Sequence, residues 1–224
     1  APIMDMTTVI RSGSRITYYM EQEFTLAAAH AENAAITPAA DELVKIELVP
    51  AEIVKMLQVS ESAKVMSIDA FSAWLTNNLA KSIAAQVSTK IVAAITAAAA
   101  SAGTAFSGDT VRALLGAVKG NITLVCNRAT LFNNILPIQD NAKSSIVKYE
   151  GTDAFVYGCP VVLNDAVPAG TLLAGDLSKS VSAVAEDVTI REAFDIDHNA
   201  WKYLGVMMFD YNAGVNGFAK IVKA

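Results

Sequence analysis

The feature that most constrains the fold is a row of large apolar side chains that recurs every four residues through the middle of the sequence. The row consists of Phe71, Leu75, Leu79, Ile83, Val87, Ile91 and Ile95. Each step of four overshoots a helical turn by about 40°, so the stripe winds around the axis. Ser67 is a suitable N-cap, and the negative charge of Asp69 in the first turn interacts favourably with the helix dipole. The sequence therefore predicts one long helix from about Ser67 to Ser101 that contacts different neighbours along its length.

The segment before this helix predicts a long β-hairpin. Residues 17–28 are rich in β-favouring Thr, Tyr and Phe, and residues 29–40 are small and polar, as is typical of a loop tip. Residues 41–49 alternate between two faces. One face carries Leu43, Lys45, Glu47 and Val49, and the other carries Val44, Ile46 and Leu48. A two-stranded hairpin of this length is not stable alone in water, so it needs a surface on which to lie.

The rest of the chain predicts short helices and strands, which makes the fold class α+β. Residues 1–16 are expected to form an extended arm, because Ser12, Gly13 and Ser14 disfavour regular structure. Helices are predicted at 108–118 and 128–138, the second ending near Pro137. Strands are predicted at 122–127, 155–163, 171–174 and 181–191, with a terminal hairpin formed by 201–211 and 215–222.

The composition favours self-association. Of the 224 residues 53% are hydrophobic and only 17% are charged, which is apolar for a soluble monomer. The longest apolar stretch, Ile91 to Phe106, is mostly alanine and shorter than the roughly 20 residues that a membrane-spanning helix needs. The first residues contain no apolar core of signal-peptide type. We therefore expect no membrane partner, and we expect other copies of the chain to cover the excess apolar surface.

No catalytic, cofactor-binding or metal-binding constellation is evident, so the sequence predicts neither an enzyme nor a cofactor. The patterns GxSxG, HExxH and GxxxxGK[ST] are absent. His30 lies in the predicted loop tip, and His198 follows Asp195 and Asp197 in what we interpret as a solvated turn. The two thiols are interpreted as reduced, buried side chains. The net charge is −5 and the basic residues are scattered, so no nucleic-acid-binding face is predicted.

The order of these elements resembles that of tailed-bacteriophage major capsid proteins of the Hong Kong 97 type. The stretch ELVPAEIVKMLQVSESA at 47–63 is similar to the passage from the extended loop into the long helix, called the spine helix. ITLVCNRATLFNNILPIQD at 122–140 resembles the strand and helix that follow it in the family. The most specific part is VYGCPVVLNDAVPAGTLLAGDLSKS at 156–180, with its G-x-P-V, D, P-x-G and GD-φ-S spacing. The last stretch, 206–224, resembles the family's final hairpin.

The resemblance implies a division of the chain into four regions. These are an N-terminal arm at 1–16, an extended loop at 17–49, a peripheral domain at 50–103 plus 200–224, and an axial domain at 104–199. The extended loop would lie across a neighbouring subunit. Because loop residues without a core in their own chain must find one elsewhere, we expect intersubunit contacts from Phe24 and the apolar side of 43–49. The candidate contact residues are Phe24, Leu43, Lys45 and Glu47.

The resemblance also implies a function and a set of partners. Copies of the chain would form pentamers and hexamers that close an icosahedral shell around double-stranded DNA, without sequence-specific binding. Scaffolding, portal and decoration proteins are further partners that it allows. The chain would be found in the virion, after assembly in the cytoplasm of the host bacterium. Ala1 leaves two origins open, initiator-methionine removal or cleavage of a longer precursor.

Three points separate this sequence from related possibilities. The loop tip at 29–40 has no lysine, and Lys45 lies further along the returning strand, so the isopeptide cross-link of the family's prototype is not expected. An encapsulin-like nanocompartment shell shares the fold, but the arm with Gly13 does not look like the N-terminal helix of those proteins. A small cytosolic α+β enzyme or binding protein is the third alternative, and the missing catalytic constellation counts against it.

Overall fold

The computed structural model describes residues 3–13, 15–23, 42–62, 68–142, 145–215 and 217–223. Its helices are α1 (Ile68–Ala98), α2 (Gly108–Gly116) and α3 (128–142). The first strands are β1 (Thr8–Arg11), β2 (Ile16–Glu23), β3 (Glu42–Leu48), β4 (Ala51–Ser60), β5 (Ala100–Gly103) and β6 (Thr123–Cys126). The later strands are β7 (Val147–Glu150), β8 (Asp153–Val156), β9 (Cys159–Leu163), β10 (Thr171–Gly175), β11 (Val181–Asp195), β12 (Ala200–Asn212) and β13 (Phe218–Val222).

Helix α1 forms as the four-residue row predicts. From Leu75 to Ile95 every member of the row is at most 5% exposed. Leu75 and Leu79 pack against Tyr203, whereas Ile83 to Ile95 belong to the central core, so the winding stripe does contact different neighbours. The predicted N-cap, Ser67, lies outside the described residues. Among the helices in the described ranges, none combines the length and the hydropathy that crossing a membrane requires.

The helix packs on a four-stranded sheet with the order β1-β11-β12-β4. The approach is close at Gly205 of β12, where a Cβ atom would lie 3.1 Å from Cδ1 of Ile83. Strand β4 was not predicted: the sequence indicated only a connection at 50–60, but ten residues pair with β12. The strand carries apolar residues on both faces. Its sequence therefore lacks the alternation of apolar and polar residues that identifies a half-buried strand.

A second sheet has seven strands in the order β5-β13-β10-β6-β9-β8-β7. The predicted strand at 122–127 is β6, and all four of its residues are buried because it lies inside this sheet. Helices α2 and α3 contribute Val111, Leu114, Leu131 and Ile135 to the core of this sheet. The predicted helix at 108–118 and the predicted strand at 171–174 are confirmed as α2 and β10.

Three predicted elements were wrong. The predicted strand at 155–163 is instead two antiparallel strands, β8 and β9, joined by a turn at residues 157–158. The terminal hairpin does not form: β12 belongs to the four-stranded sheet and β13 to the seven-stranded sheet. Gly214, with a φ of 72°, turns the chain from one sheet to the other. Helix α3 does not end at Pro137 but continues to residue 142, because a π turn at Leu131–Ile135 lies in the turn before the proline. This wider turn relieves the clash that a proline ring makes with a regular α-helix.

The N-terminal arm is more ordered than the sequence predicted. Strand β1 pairs in parallel with β11, and Ile3 is fully buried in the central core. The Thr7 hydroxyl lies 2.6 Å from that of Ser182, so the two buried groups satisfy each other. The serines and the glycine that predicted an irregular arm follow β1 rather than interrupt it, and Ser14 lies outside the described residues.

The predicted limits of the peripheral and axial domains differ from the sheets at two points. Strand β11 lies within the predicted axial range but pairs with β12 and β1 of the four-stranded sheet. Strand β13 lies within the predicted peripheral range but pairs with β10 and β5 of the seven-stranded sheet. The chain therefore crosses between the sheets near residue 176 and again near residue 214.

Candidate assembly surface

Strands β2 and β3 form a separate two-stranded sheet, which we call the ribbon. Its register places Ile16, Tyr18 and Met20 opposite Leu48, Ile46 and Val44 on one face. The other face carries Thr17, Tyr19 and Glu21 opposite Glu47, Lys45 and Leu43. The described part of the predicted hairpin is therefore confirmed, whereas its predicted tip at 29–40 lies outside the described residues.

The inner face of the ribbon packs on its own chain. Ile46 is 5% exposed and Leu48 is fully buried, and both belong to a small buried cluster with Val181 and Ala183 of β11. The backbone N–H of Val49 also donates a hydrogen bond of 2.8 Å to the Asp210 carboxylate. These two residues therefore have a core within their own chain, which the periodicity of a single strand cannot reveal. The contact of the apolar side of 43–49 with sister copies stays a prediction.

The outer face of the ribbon remains open. Tyr19 is 60% exposed and Leu43 is 62% exposed, although both are large apolar side chains. Lys45 forms an ion pair of 2.7 Å with Glu47, which also pairs with Arg15. These exposed pairs add little stability, but they set the charge pattern of the face. The structure thus brings the predicted contact residues Leu43, Lys45 and Glu47 together on one open surface, whereas Phe24 lies outside the described residues.

A second exposed apolar surface lies on strand β4, which the sequence reasoning missed. Val54 is 55% exposed and Met56 is 57% exposed, and both lie on the face of the four-stranded sheet opposite helix α1. Alternate residues of the same strand, Leu57 and Val59, pack toward the helix instead. The β-branched and apolar composition of 51–60 is the signal that could have identified the strand.

The acidic residues near His198 form a turn at the end of the β11–β12 hairpin. The Asp195 carboxylate accepts hydrogen bonds from Lys202 Nζ at 2.6 Å and pairs with His198 Nδ1 at 2.8 Å. The hydrogen bond from Lys202 and the one from His198 hold the pKa of Asp195 below its usual value. Within the ranges that the structure describes, no group of His, Cys, Asp and Glu has the arrangement of a metal site. The geometry is that of a turn held by the contacts of the Asp195 carboxylate with His198 and Lys202.

Replacing Asp195 with asparagine is expected to lower the free energy of unfolding at pH 7, and this loss should shrink at low pH. A carboxylate whose pKa is depressed by folding stabilises the protein above its unfolded pKa of about 3.9. The contribution disappears as the pH falls through the lower pKa of the folded state. Urea unfolding of the unassembled protein at several pH values between 7 and 2 measures the difference. Asp197→Asn, at an exposed residue of the same turn, is the control and should leave the free energy of unfolding at pH 7 almost unchanged.

The two cysteines are free thiols. Burial raises the pKa of Cys126 to about 12, and burial also raises that of Cys159, which is only half-buried. Neither thiol has the low pKa of a nucleophile, which agrees with the interpretation of both as packing residues.

The comparisons with known proteins concern the whole fold. A family model described as the phage capsid family matches residues 1–217. A solved structure entitled "Capsid of empty GTA particle computed with C5 symmetry" is similar with a TM-score of 0.82 and 13% identity, covering 98% of this chain and 89% of that one. A Gordonia phage Cozz structure has a TM-score of 0.73 and 12% identity over 99% of this chain and 86% of that one. A Mycobacterium phage Bobi structure has a TM-score of 0.69 and 14% identity over 99% and 90%.

A comparison with curated protein sequences finds no match. At identities this low the structural similarity shows the fold, and it confirms the Hong Kong 97-type architecture that the order of elements predicted.

Proposed function

The chain belongs to the phage capsid family and is a structural major capsid protein, and we propose that it assembles through pentamers and hexamers into an icosahedral shell around double-stranded DNA. The shell protein is a component of the virion. Assembly takes place in the cytoplasm of the host bacterium, and the DNA is held without sequence-specific contacts. Scaffolding, portal and decoration proteins are the further partners of this shell.

The observation that carries the proposal is the open outer face of the ribbon. Its inner face is already used within the chain, where Ile46 and Leu48 are buried. The outer face presents Tyr19 and Leu43, each at least 60% exposed, on a two-stranded sheet that no other described strand extends. Large exposed apolar side chains on an ordered strand pair support contact with another protein surface. In a self-assembling shell that surface belongs to a neighbouring copy.

The regions predicted from the sequence take separate roles in this shell. The arm at 1–16 ties the chain start to the four-stranded sheet, and the extended loop at 17–49 reaches a neighbour. The peripheral region consists of the four-stranded sheet with α1, and residues 181–195 join it because their strand pairs there. The axial region consists of the seven-stranded sheet with α2 and α3, and it includes 218–222 for the same reason.

Replacing Leu43 with glutamate is expected to leave the fold intact and to prevent shell assembly. The side chain is 62% exposed in the single chain, so a charge there costs little stability. At an interface between copies the same carboxylate would be desolvated beside Glu21, and Lys45 on this face already pairs with Glu47, so the new charge would be costly to bury. Size-exclusion chromatography with negative-stain electron microscopy measures the fraction of protein in closed particles.

The matched control is Val222→Glu, which places the same charge at an apolar side chain that is 41% exposed outside the ribbon. We expect this control to form particles and Leu43→Glu to remain as small species. A wild-type protein that stays a monodisperse monomer would overturn the proposed function. If both variants assemble equally well, the outer face of the ribbon is not a contact that the shell requires.

A further inference from the structure

Strand β4 has an open edge. It is the last strand of the four-stranded sheet, and it pairs with β12 from Ala51 to Ser60 without any register shift. A regular pairing on one side leaves an equally regular row of backbone N–H and C=O groups on the other. Among the residues that the structure describes, no strand pairs with that row.

The sequence of this edge lacks the features that usually prevent strand edges from associating. Residues 51–60 contain no proline and no glycine, and their only charges are Glu52 and Lys55. Lys55 does not protect the edge, because its Nζ donates a hydrogen bond of 3.1 Å to Asn78 of helix α1. A long, straight, apolar edge of this kind adds a further strand readily. A protein with such an edge needs it covered in its functional state.

We propose that the β4 edges of two copies pair with each other, antiparallel and around a two-fold axis, with Met56 opposite Met56 of the second copy. The inference rests on the proposed function, because it names one contact of the self-assembling shell. A two-fold contact uses the same surface on both sides, so a single unpaired edge is enough to form it. The two four-stranded sheets become one continuous sheet of eight strands.

The register follows from the two faces of the strand. In a continuous sheet, residues on the face away from α1 must meet residues on the same face of the partner. Centring the pair on Met56 places Val54 opposite Gln58 and Ile53 opposite Val59. Nine residues of each copy, 52–60, then take part in the pairing. Shifting the centre to Lys55 would set two lysines directly opposite each other, which is unfavourable. Centring on Met56 opposes no like charges.

The exposed apolar side chains support the same register. Val54 and Met56 are each more than half exposed in the single chain. With Met56 at the axis, both copies bring these side chains into one cluster on the outer face. Cross-strand neighbours on one face lie about 5 Å apart, close enough for direct packing. The pairing therefore covers the backbone edge and the apolar patch together.

The first test uses single cysteines at Met56 and Gln58 in a Cys159→Ser background, which leaves only the buried Cys126. After assembly, mild oxidation or a short bismaleimide should convert most of the Met56→Cys protein to a dimer band. Gln58→Cys, two residues away on the same face, should stay largely monomeric, because its partner at the edge is Val54. The combination Val54→Cys with Gln58→Cys should again give dimers.

The second test uses charge. Met56→Lys and Met56→Glu should each lose the dimer contact, because like charges meet at the axis, and mixing the two proteins in equal amounts should restore it. Met56 is 57% exposed, so either change should leave the melting temperature of the single chain almost unaltered.

The outcomes separate the two proposals. Particles in which Met56→Cys and Gln58→Cys cross-link equally, or not at all, overturn the β4 pairing and leave the shell function standing. Cross-linked dimers without particles support the pairing and contradict the shell function. Mixing that fails to restore the contact overturns the pairing even where particles form.

Discussion

Gly175→Val is expected to destabilise the unassembled protein by about 3 kcal/mol, at the upper end of the cost of overfilling a packed core. Gly175 ends strand β10 directly opposite Phe218 of β13. A Cβ atom at this position would lie 2.0 Å from the Phe218 ring and 2.8 Å from the backbone oxygen of Gly217. Phe218 is only 7% exposed and belongs to the central core, so moving its ring would disturb the packing around it. Urea unfolding followed by circular dichroism measures the loss.

The control for this prediction is Gly116→Ala. Gly116 is the last residue of α2, and a Cβ atom there would meet nothing within 4 Å. Alanine in a helix is favoured over glycine by up to about 1 kcal/mol, so this variant should be as stable as the wild type or slightly more so. If Gly175→Val and Gly116→Ala have the same unfolding midpoint, the prediction is contradicted. The packing of the Phe218 ring would then not require a glycine at position 175.

Asp176→Ala is expected to destabilise the unassembled protein by about 3 kcal/mol, because it removes a buried carboxylate that accepts three hydrogen bonds, and hydrogen bonds to charged groups are the strongest of their kind. The Asp176 side chain is 5% exposed. One carboxylate oxygen accepts from the backbone N–H and the hydroxyl of Ser178, at 3.2 and 2.6 Å. The other accepts from the backbone N–H of Asn121 at 3.2 Å. Thermal and urea unfolding of the variant measure the effect.

Asp165→Ala is the matched control for Asp176. Asp165 is exposed in the turn before β10, so its loss should change the free energy of unfolding by no more than about 0.5 kcal/mol. Ser178→Ala should fall between the two, because it removes the hydroxyl donor and keeps both backbone donors. An Asp176→Ala protein as stable as Asp165→Ala would contradict the role of the buried carboxylate.

These two neighbouring residues explain the most specific motif of the sequence. Gly175 and Asp176 lie where the chain leaves the seven-stranded sheet and enters the four-stranded sheet at β11. The glycine admits the Phe218 ring, and the aspartate ties the crossing to the loop at Asn121. The sequence alone indicated only a turn at this point, since glycine and aspartate are common in turns of any fold. Their tertiary contacts make them a joint between the sheets.

The outer face of the ribbon shows how far the candidate site could be predicted. The alternation of 43–49 correctly separated Leu43, Lys45 and Glu47 from Ile46 and Leu48. It could not tell which face would be used within the chain, because both contain apolar side chains. Ile46 and Leu48 are buried within their own chain because they pack with Val181 and Ala183. These two residues lie more than 130 positions later in the sequence.

Local patterns therefore determined the long helix, the short helix α2, the buried strand β6, the ribbon and the order of elements that resembles phage capsid proteins. Each of these depends on periodicity, capping or turn chemistry within a few neighbouring residues. Strand partners did not follow from such patterns. Strands β4 and β13 pair with strands that are distant in sequence, so their places depend on the sheets as a whole. A strand's hydrogen-bonding groups are the same whatever its sequence, so only the packing of the whole chain selects the partner that they meet.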